Sequence, residues 1–226
     1  NGIRIDTRYL KETRKALYKR CDSMQKDLMQ TKVWRLWQRR FGTIASLGSG
    51  DQLGQVLYND MGYEPVAYTD SGRAATDAHS LEKTKEPFVK TYLRWKKLSN
   101  ANNTFLEGID RETCHGYLHP NYNLNLVISY RSSSDNPNFQ NYPVRDAEIG
   151  EIIRRCFIPR KGNVLVENDF KGVEVSISAC YNHDPNLIKY IKNPELDMHR
   201  DSAMECYFLE KEDVTKKIRY LGKNGF

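Results

Sequence analysis

The chain has 226 residues, 39% of them hydrophobic and 28% charged. That balance can bury a sizeable core and excludes both a disordered chain and a membrane protein. No run approaches the ~18 consecutive apolar residues that a spanning helix needs. The net charge of +6 is unevenly placed: residues 1–45 carry twelve Lys/Arg against four acids, so this segment is +8 and the remainder −2. A basic element on a near-neutral body points to a polyanionic partner such as nucleic acid. A solvated helix face would carry the same pattern.

The first residues, Asn1-Gly2-Ile3-Arg4-Ile5-Asp6, show no apolar signal-peptide core and no cleavage site. They also lack Met, so the expectation is a start inside a longer gene product or after processing. Five cysteines (Cys21, Cys114, Cys156, Cys180, Cys206) are odd in number and form no CxxC pair. Reduced thiols in a cytoplasmic compartment are the plain reading. Cys114-His115 with His119 lacks the second paired ligands of a structural zinc site.

In chain order, residues 7–40 place Leu10, Leu17, Met24, Leu28, Val33, Leu36 and Trp37 among basic residues, with no Pro or Gly. One long helix or two are predicted, basic on the outer face. Ser49-Gly50-Asp51-Gln52 is a capping-box pattern that opens a short helix to about Met61, closed by Gly62. Residues 68–75 read as a loop, and Thr76 or Asp77 as the cap of another helix. Phe88, Tyr92, Trp95, Leu98, Phe105 and Ile109 recur at helical spacing. Trp34, Trp37 and Trp95 are expected in the core.

The pattern changes after Gly116. Residues 117–130 alternate and end in Leu126-Val127-Ile128-Ser129-Tyr130, a strand signal. Arg131 to Pro143 is rich in Ser, Asn, Asp and Pro, hence a loop. Residues 149–154 read as a helical turn, and Asn163-Val164-Leu165-Val166-Glu167 as a buried strand leading to Asp169. Four helices are predicted over 172–182, 186–192, 198–208 and 212–223. The division expected is a helical region over 1–110 and a mixed region over 111–226, with an α+β fold.

A carboxylate at the end of a buried strand sits at a cleft edge on a fixed backbone, where it can reach a cation. Nucleotidyl transfer uses such carboxylates to hold two Mg²⁺ ions at the attacking and leaving oxygens. One strand-end Asp is weak by itself, since many merely cap helices. Here it comes in an ordered set. Upstream lies Arg131-Ser132-Ser133-Ser134-Asp135-Asn136-Pro137-Asn138-Phe139-Gln140-Asn141. Then come Asp169-Phe170-Lys171-Gly172-Val173-Glu174-Val175, Asp197-Met198-His199-Arg200, and Arg219-Tyr220-Leu221-Gly222-Lys223.

In this order the segments resemble the polymerase domain of family A DNA polymerases, the DNA polymerase I family. The first is similar to the TGRLSSxxPNLQN primer–template loop and the second to motif A, DYSQIELR. The third is similar to the D-I-H element after it, and the fourth to the opening of motif B. Gly2 to Asp6, Asp51-Gln52-Leu53-Gly54, Thr76-Asp77 and Leu81-Glu82-Lys83 resemble thumb elements of the same family. The likeness thus covers nearly the whole chain.

The resemblance implies a helical thumb, then the first part of a palm with antiparallel sheet, ending at the start of the fingers. It implies DNA-directed DNA synthesis with Mg²⁺, on primer–template DNA and deoxynucleoside triphosphates. Asp169, with the backbone carbonyl of Phe170, would bind metal. Glu174 would be the steric gate against a ribose 2′-OH. His199, Arg219 and Lys223 would contact the triphosphate, Arg219 and Lys223 also serving catalysis. Arg131, Ser133, Ser134, Asn138, Gln140 and Asn141 would hold the primer–template. His199 as a helix-start pair and Arg219/Lys223 as a solvated face stay open as plain alternatives.

The departures carry expectations of their own. Lys171-Gly172 stands where the family commonly has Ser-Gln, so an altered contact or added phosphate attraction is expected there. Only Arg131 of the TGRL start is secure. Motif B stops at Phe226, and neither motif C with the second metal-binding aspartate nor a proofreading domain is present in the sequence. A second polypeptide carrying the rest is therefore expected, with a phage-type split enzyme in host cytoplasm as one form. The rival expectation is a non-catalytic nucleic-acid-binding module derived from a thumb and palm. Apolar palm surface is expected to lie exposed.

Overall fold

A computed structural model describes residues 2–129, 131–143, 146–170 and 172–224. The expectations tied to Tyr130, Lys171 and Phe226 lie outside the described residues. Cα packing separates two compact units, Asn1–Leu165 and Val166–Phe226. The change of pattern near residue 110 falls inside the first of them.

In the first unit the basic segment forms two helices, α1 (Thr7–Met29) and α2 (Lys32–Phe41). The break follows from local chemistry. Thr31 turns extended, its hydroxyl donates to the Leu28 carbonyl, and it accepts from the Trp34 N–H as the cap of α2. Ser49 caps α3 (Gly50–Gly54), which runs on as a π-helical turn over Gln55–Asp60. Asp77 caps α4 (Ala78–Lys83). The helix α5 (Pro87–Asn100) continues through a π-helical stretch, Ala101–Leu106, into α6 (Glu107–Glu112).

Two apolar cores hold this unit. The first packs Trp34 and Trp37 of α2 against Leu53, Leu57, Leu81, Phe88, Tyr92 and Trp95. Trp37 is fully buried, and its indole N–H donates to the Gln52 Oε1 at 2.8 Å. The same oxygen accepts from the Ser46 N–H, while the Gln52 amide nitrogen donates to the Ile44 carbonyl. One glutamine thus ties α2, the turn before α3 and α3 itself together. The second core gathers Leu10 and Leu17 of α1, Leu98, Ile109, Leu118, Ile149, Ile153 and Cys156. Burial pushes the Cys156 thiol up to about 12, which makes it an inert core residue.

The sheets are small and antiparallel. The strand β1 (Ile3–Arg4) pairs with β3 (Tyr117–Leu118), which pairs with β2 (Thr113–Cys114). Farther on, β4 (Asn121–Asn123) pairs with β5 (Ser133–Asp135), and α7 (Ala147–Arg154) follows. The α+β class therefore holds.

The strand expected over 117–130 forms only in its first part, as β3 and β4, and the one expected over 163–167 does not form. Residues 126–129 are irregular, with Leu126 67% and Ile128 97% exposed. Residues 163–167 are also irregular, with Val164, Leu165 and Val166 all exposed rather than buried. A strand is held by a pairing neighbour and a covering layer, and no strand among the described residues pairs with either run. The expected exposure of apolar surface is what these runs display.

The second unit is helical: α8 (Val173–Asn182), α9 (Pro185–Lys192), α10 (Met198–Tyr207) and α11 (Lys216–Asn224). Among the described residues no helix is long and apolar enough to cross a membrane.

Replacing Trp37 by Ala should cost the first unit about 3–5 kcal/mol, because a buried indole and its hydrogen bond to Gln52 are lost. Urea unfolding followed by tryptophan fluorescence reads this; a loss under about 1 kcal/mol would place the anchor elsewhere.

Candidate active site

In the second unit, helix α10 opens at Asp197. Its Oδ1 accepts from the Arg200 N–H at 3.1 Å, a helix cap, and its Oδ2 accepts from the Arg219 Nε of α11 at 2.6 Å. The two helices come unusually close through Gly222. A Cβ built there would lie 2.6 Å from the His199 carbonyl oxygen and 2.9 Å from the Ala203 Cβ. Only a residue without a side chain fits that contact. The approach sets Arg219 and Lys223 of α11 beside His199 of α10.

His199, Arg219 and Lys223 line one cavity of about 710 Å³, together with Asp197, Arg200 and Tyr190. An adjoining cavity of about 530 Å³ is lined by Phe170, Glu174, His199 and Lys223. The shared wall includes His199 and Lys223, with Gly172, Val175 and Met198. Five of the predicted site residues thus border two adjoining cavities in one unit. Asp169 is exposed, next in sequence to Phe170.

The electrostatics follow from this packing. Burial, then the positive charges of Arg219 and Lys223, lower the His199 pKa from its usual 6.5, against an opposing effect of Asp197. The imidazole is therefore neutral at pH 7, and its Nδ1 is buried without a hydrogen-bond partner among the described residues. Burial alone would raise the Asp197 carboxyl, but the hydrogen bonds from Arg219 and the Arg200 backbone, with the charges of both arginines, outweigh it and hold the group below the usual range. The hydrogen bond to Asp197 raises Arg219 in turn. On the cavity's other side Asp201 accepts from the Tyr190 hydroxyl at 3.0 Å and from the Arg200 Nε at 2.8 Å.

Gly172, one of the departures in motif A, has a structural role. It sits at φ +65° as the residue before α8, a left-handed conformation that strains any L side chain. Its carbonyl accepts from the Ser176 hydroxyl at 3.1 Å.

In the first unit, residues 131–143 form a loop pinned from within. The Ser134 hydroxyl accepts from the Phe139 N–H at 3.1 Å and lies within 3.3 Å of the Pro137 carbonyl as donor. Ser134 is buried: in β5 it points inward and closes the loop. Ser133 is half-buried. Phe139 packs edge-on to Tyr142 and Phe157, at centroid distances of 5.4 and 5.2 Å. Arg131, Asn138, Gln140 and Asn141 remain on the exposed side, with the Gln140 amide donating to Ser132 at 2.9 Å. The sequence motifs contain Asp197 and Gly222 without giving their roles, and nothing in the sequence points to this aromatic anchor.

As oxygen donors, Asp169 and the Phe170 carbonyl suit Mg²⁺. Among the described residues no three His, Cys, Asp or Glu side chains converge as a metal cluster.

The sequence pattern of DNA polymerase family A matches residues 7–225. The chain belongs to DNA polymerase family A. It is 31% identical over 227 residues to the thermostable DNA polymerase I of Thermus thermophilus, covering 98% of this chain and 26% of that protein. It is 30% identical over 230 residues to the DNA polymerase I of Chloroflexus aurantiacus, covering 98% of this chain and 23% of that protein. Among solved structures, the polymerase domain of Pol1 from M. smegmatis, in complex with DNA primer–template and dNTP, superposes with a TM-score of 0.80 at 26% identity. That match covers 99% of this chain and 38% of the other. The chain spans about a quarter of the length of these curated relatives.

Two outcomes check the site. His199 should titrate below 6.5 by NMR, and Arg219→Gln should raise its midpoint, because the substitution removes a positive neighbour and frees the Asp197 charge. Since folding lowers the His199 pKa, its contribution to stability is present above pH 6.5 and is lost as pH falls below that value. Gly222→Ala should destabilise the second unit by about 1–3 kcal/mol through overpacking, despite the better helix propensity of Ala; thermal melts followed by circular dichroism measure it.

Proposed function

We propose that this chain is the thumb, over residues 1–110, and the first part of the palm, over 111–226, of a DNA-directed DNA polymerase. Helix α11 would be the start of the fingers. The observation that carries the reading is the meeting of His199, Arg219 and Lys223, from two separate helices, on one cavity wall. The motif resemblance ties these same three residues to an incoming triphosphate.

Each residue then has a chemical part. Arg219 and Lys223 neutralise phosphate charge and stabilise the charge that grows on the leaving pyrophosphate. A neutral His199 donates from one ring nitrogen and accepts at the other. Glu174, in the first turn of α8 at the second cavity, leaves no room for a ribose 2′-OH. Arg131, Ser133, Asn138, Gln140 and Asn141 hold the primer–template near the nascent pair through groove edges and backbone. The basic outer faces of α1 and α2 grip the duplex backbone. The primer 3′-OH attacks the α-phosphorus, the new phosphodiester forms, and pyrophosphate departs.

Asp169 and the Phe170 carbonyl would hold Mg²⁺, which when bound supplies the Lewis-acid charge for two-ion nucleotidyl transfer. The second carboxylate would come from another segment or polypeptide. The setting of the reaction is cytoplasmic.

Primer extension by the purified sample, with Mg²⁺ and all four deoxynucleoside triphosphates, is the test, beside an Asp169→Ala control. Extension that the control lowers on the order of a thousandfold supports the reading and means that the completing acid is present. Extension that the control leaves intact overturns it. Without extension, duplex binding decides. Affinity that falls linearly with log salt keeps the chain as the gripping part of a polymerase or as a binding module; salt-independent binding sinks both.

A further inference from the structure

Within the cavity wall, one carboxylate does two jobs. Asp197 caps α10, whose first turn carries His199, through the 3.1 Å contact to the Arg200 N–H. It also takes the Nε–H of Arg219 at 2.6 Å across the Gly222 contact. Arg219 makes no other hydrogen bond or ion pair among the described residues. Its two terminal amino groups are therefore unused, on a side chain that lines the 710 Å³ cavity. A guanidinium is a planar fork with five donors, and fixing it at Nε sets the direction of the other four.

We infer that Asp197 is a positioning residue: it holds Arg219 by Nε so that the terminal amino groups face a bound triphosphate. The inference rests on the triphosphate reading given above and adds to it the residue that aims the arginine. A free arginine samples many rotamers and loses that freedom when it binds. One already held by a half-buried carboxylate has lost most of that freedom before the ligand arrives. The pair keeps a second value. With its charge balanced by Asp197, Arg219 can sit near Lys223 with less like-charge repulsion.

The measurement is dATP binding by titration calorimetry to the full chain, for the parent, Asp197→Asn, Arg219→Gln and the double variant. Asn caps a helix about as well as Asp, so Asp197→Asn keeps α10 while it weakens the hold on Arg219; an unchanged melting curve verifies this. Each single substitution should weaken dATP binding roughly tenfold or more. The double variant should bind no more weakly than Arg219→Gln alone, because Asp197 acts through Arg219. In parallel, Asp197→Asn should shift the His199 midpoint further down by NMR, since the groups that face it are then Arg219 and Lys223 without the opposing carboxylate. Additive losses in the double variant, or an Asp197→Asn variant that binds dATP as the parent does, overturn the positioning role alone. A parent chain that binds no dATP overturns the triphosphate reading and this inference with it.

Discussion

The second unit depends on the absence of a side chain at Gly222. Helix faces normally keep 8–10 Å between their axes, because side chains fill the space. Gly222 removes that spacer at the His199 carbonyl, so the basic face of α11 comes down onto the start of α10. Everything cationic at the cavity follows from this contact. Arg219 reaches the Asp197 cap, Lys223 comes to His199, and the imidazole is held neutral by burial and by its positive neighbours. A larger residue would part the helices and disperse the charges.

The first unit meets a different constraint with a polar anchor. Its basic helices are amphipathic, and their apolar stripes need a floor. The floor is the aromatic run Trp34, Trp37, Tyr92 and Phe88, whose rings lie 5.5–6.5 Å apart in tilted or stacked pairs. Gln52 satisfies the indole donor inside that floor. A second set of charges, Arg94 with Asp146 and Glu148, and Arg20 with Glu148, fastens α7 to α1 and α5. The exposed loop residues Asn138, Gln140 and Asn141 are thus mounted on a braced element rather than on a free coil.

Local chemistry was legible in the sequence, and tertiary chemistry was not. Ser49, Asp77 and the buried tryptophans stand where capping rules and periodicity place them, because each answers to neighbours a few positions away. The runs 126–130 and 163–167 look like strands by the same rules. Whether they become strands depends on a partner that lies elsewhere in the chain or outside it. Ser133 and Ser134 are indistinguishable as letters, but successive residues of an extended backbone face opposite ways, and that turns Ser134 into the loop. His199, Arg219 and Lys223 could be read from motif order. Asp197 and Gly222 stand in the same motifs, but their roles exist only where two helices meet.

The uncovered run at Val164, Leu165 and Val166 has a consequence for handling the protein. An apolar β-branched stretch with unpaired backbone groups is a template for a second copy of itself, so self-association should rise with concentration and temperature. Arg160 and Lys161 on one side, and Glu167 and Asp169 on the other, bracket the run with charge. Flanking charges of this kind act as gatekeepers that slow edge-to-edge growth. Salt screens them, so the ionic strength that loosens a polyanion from the basic helices also removes the barrier to aggregation.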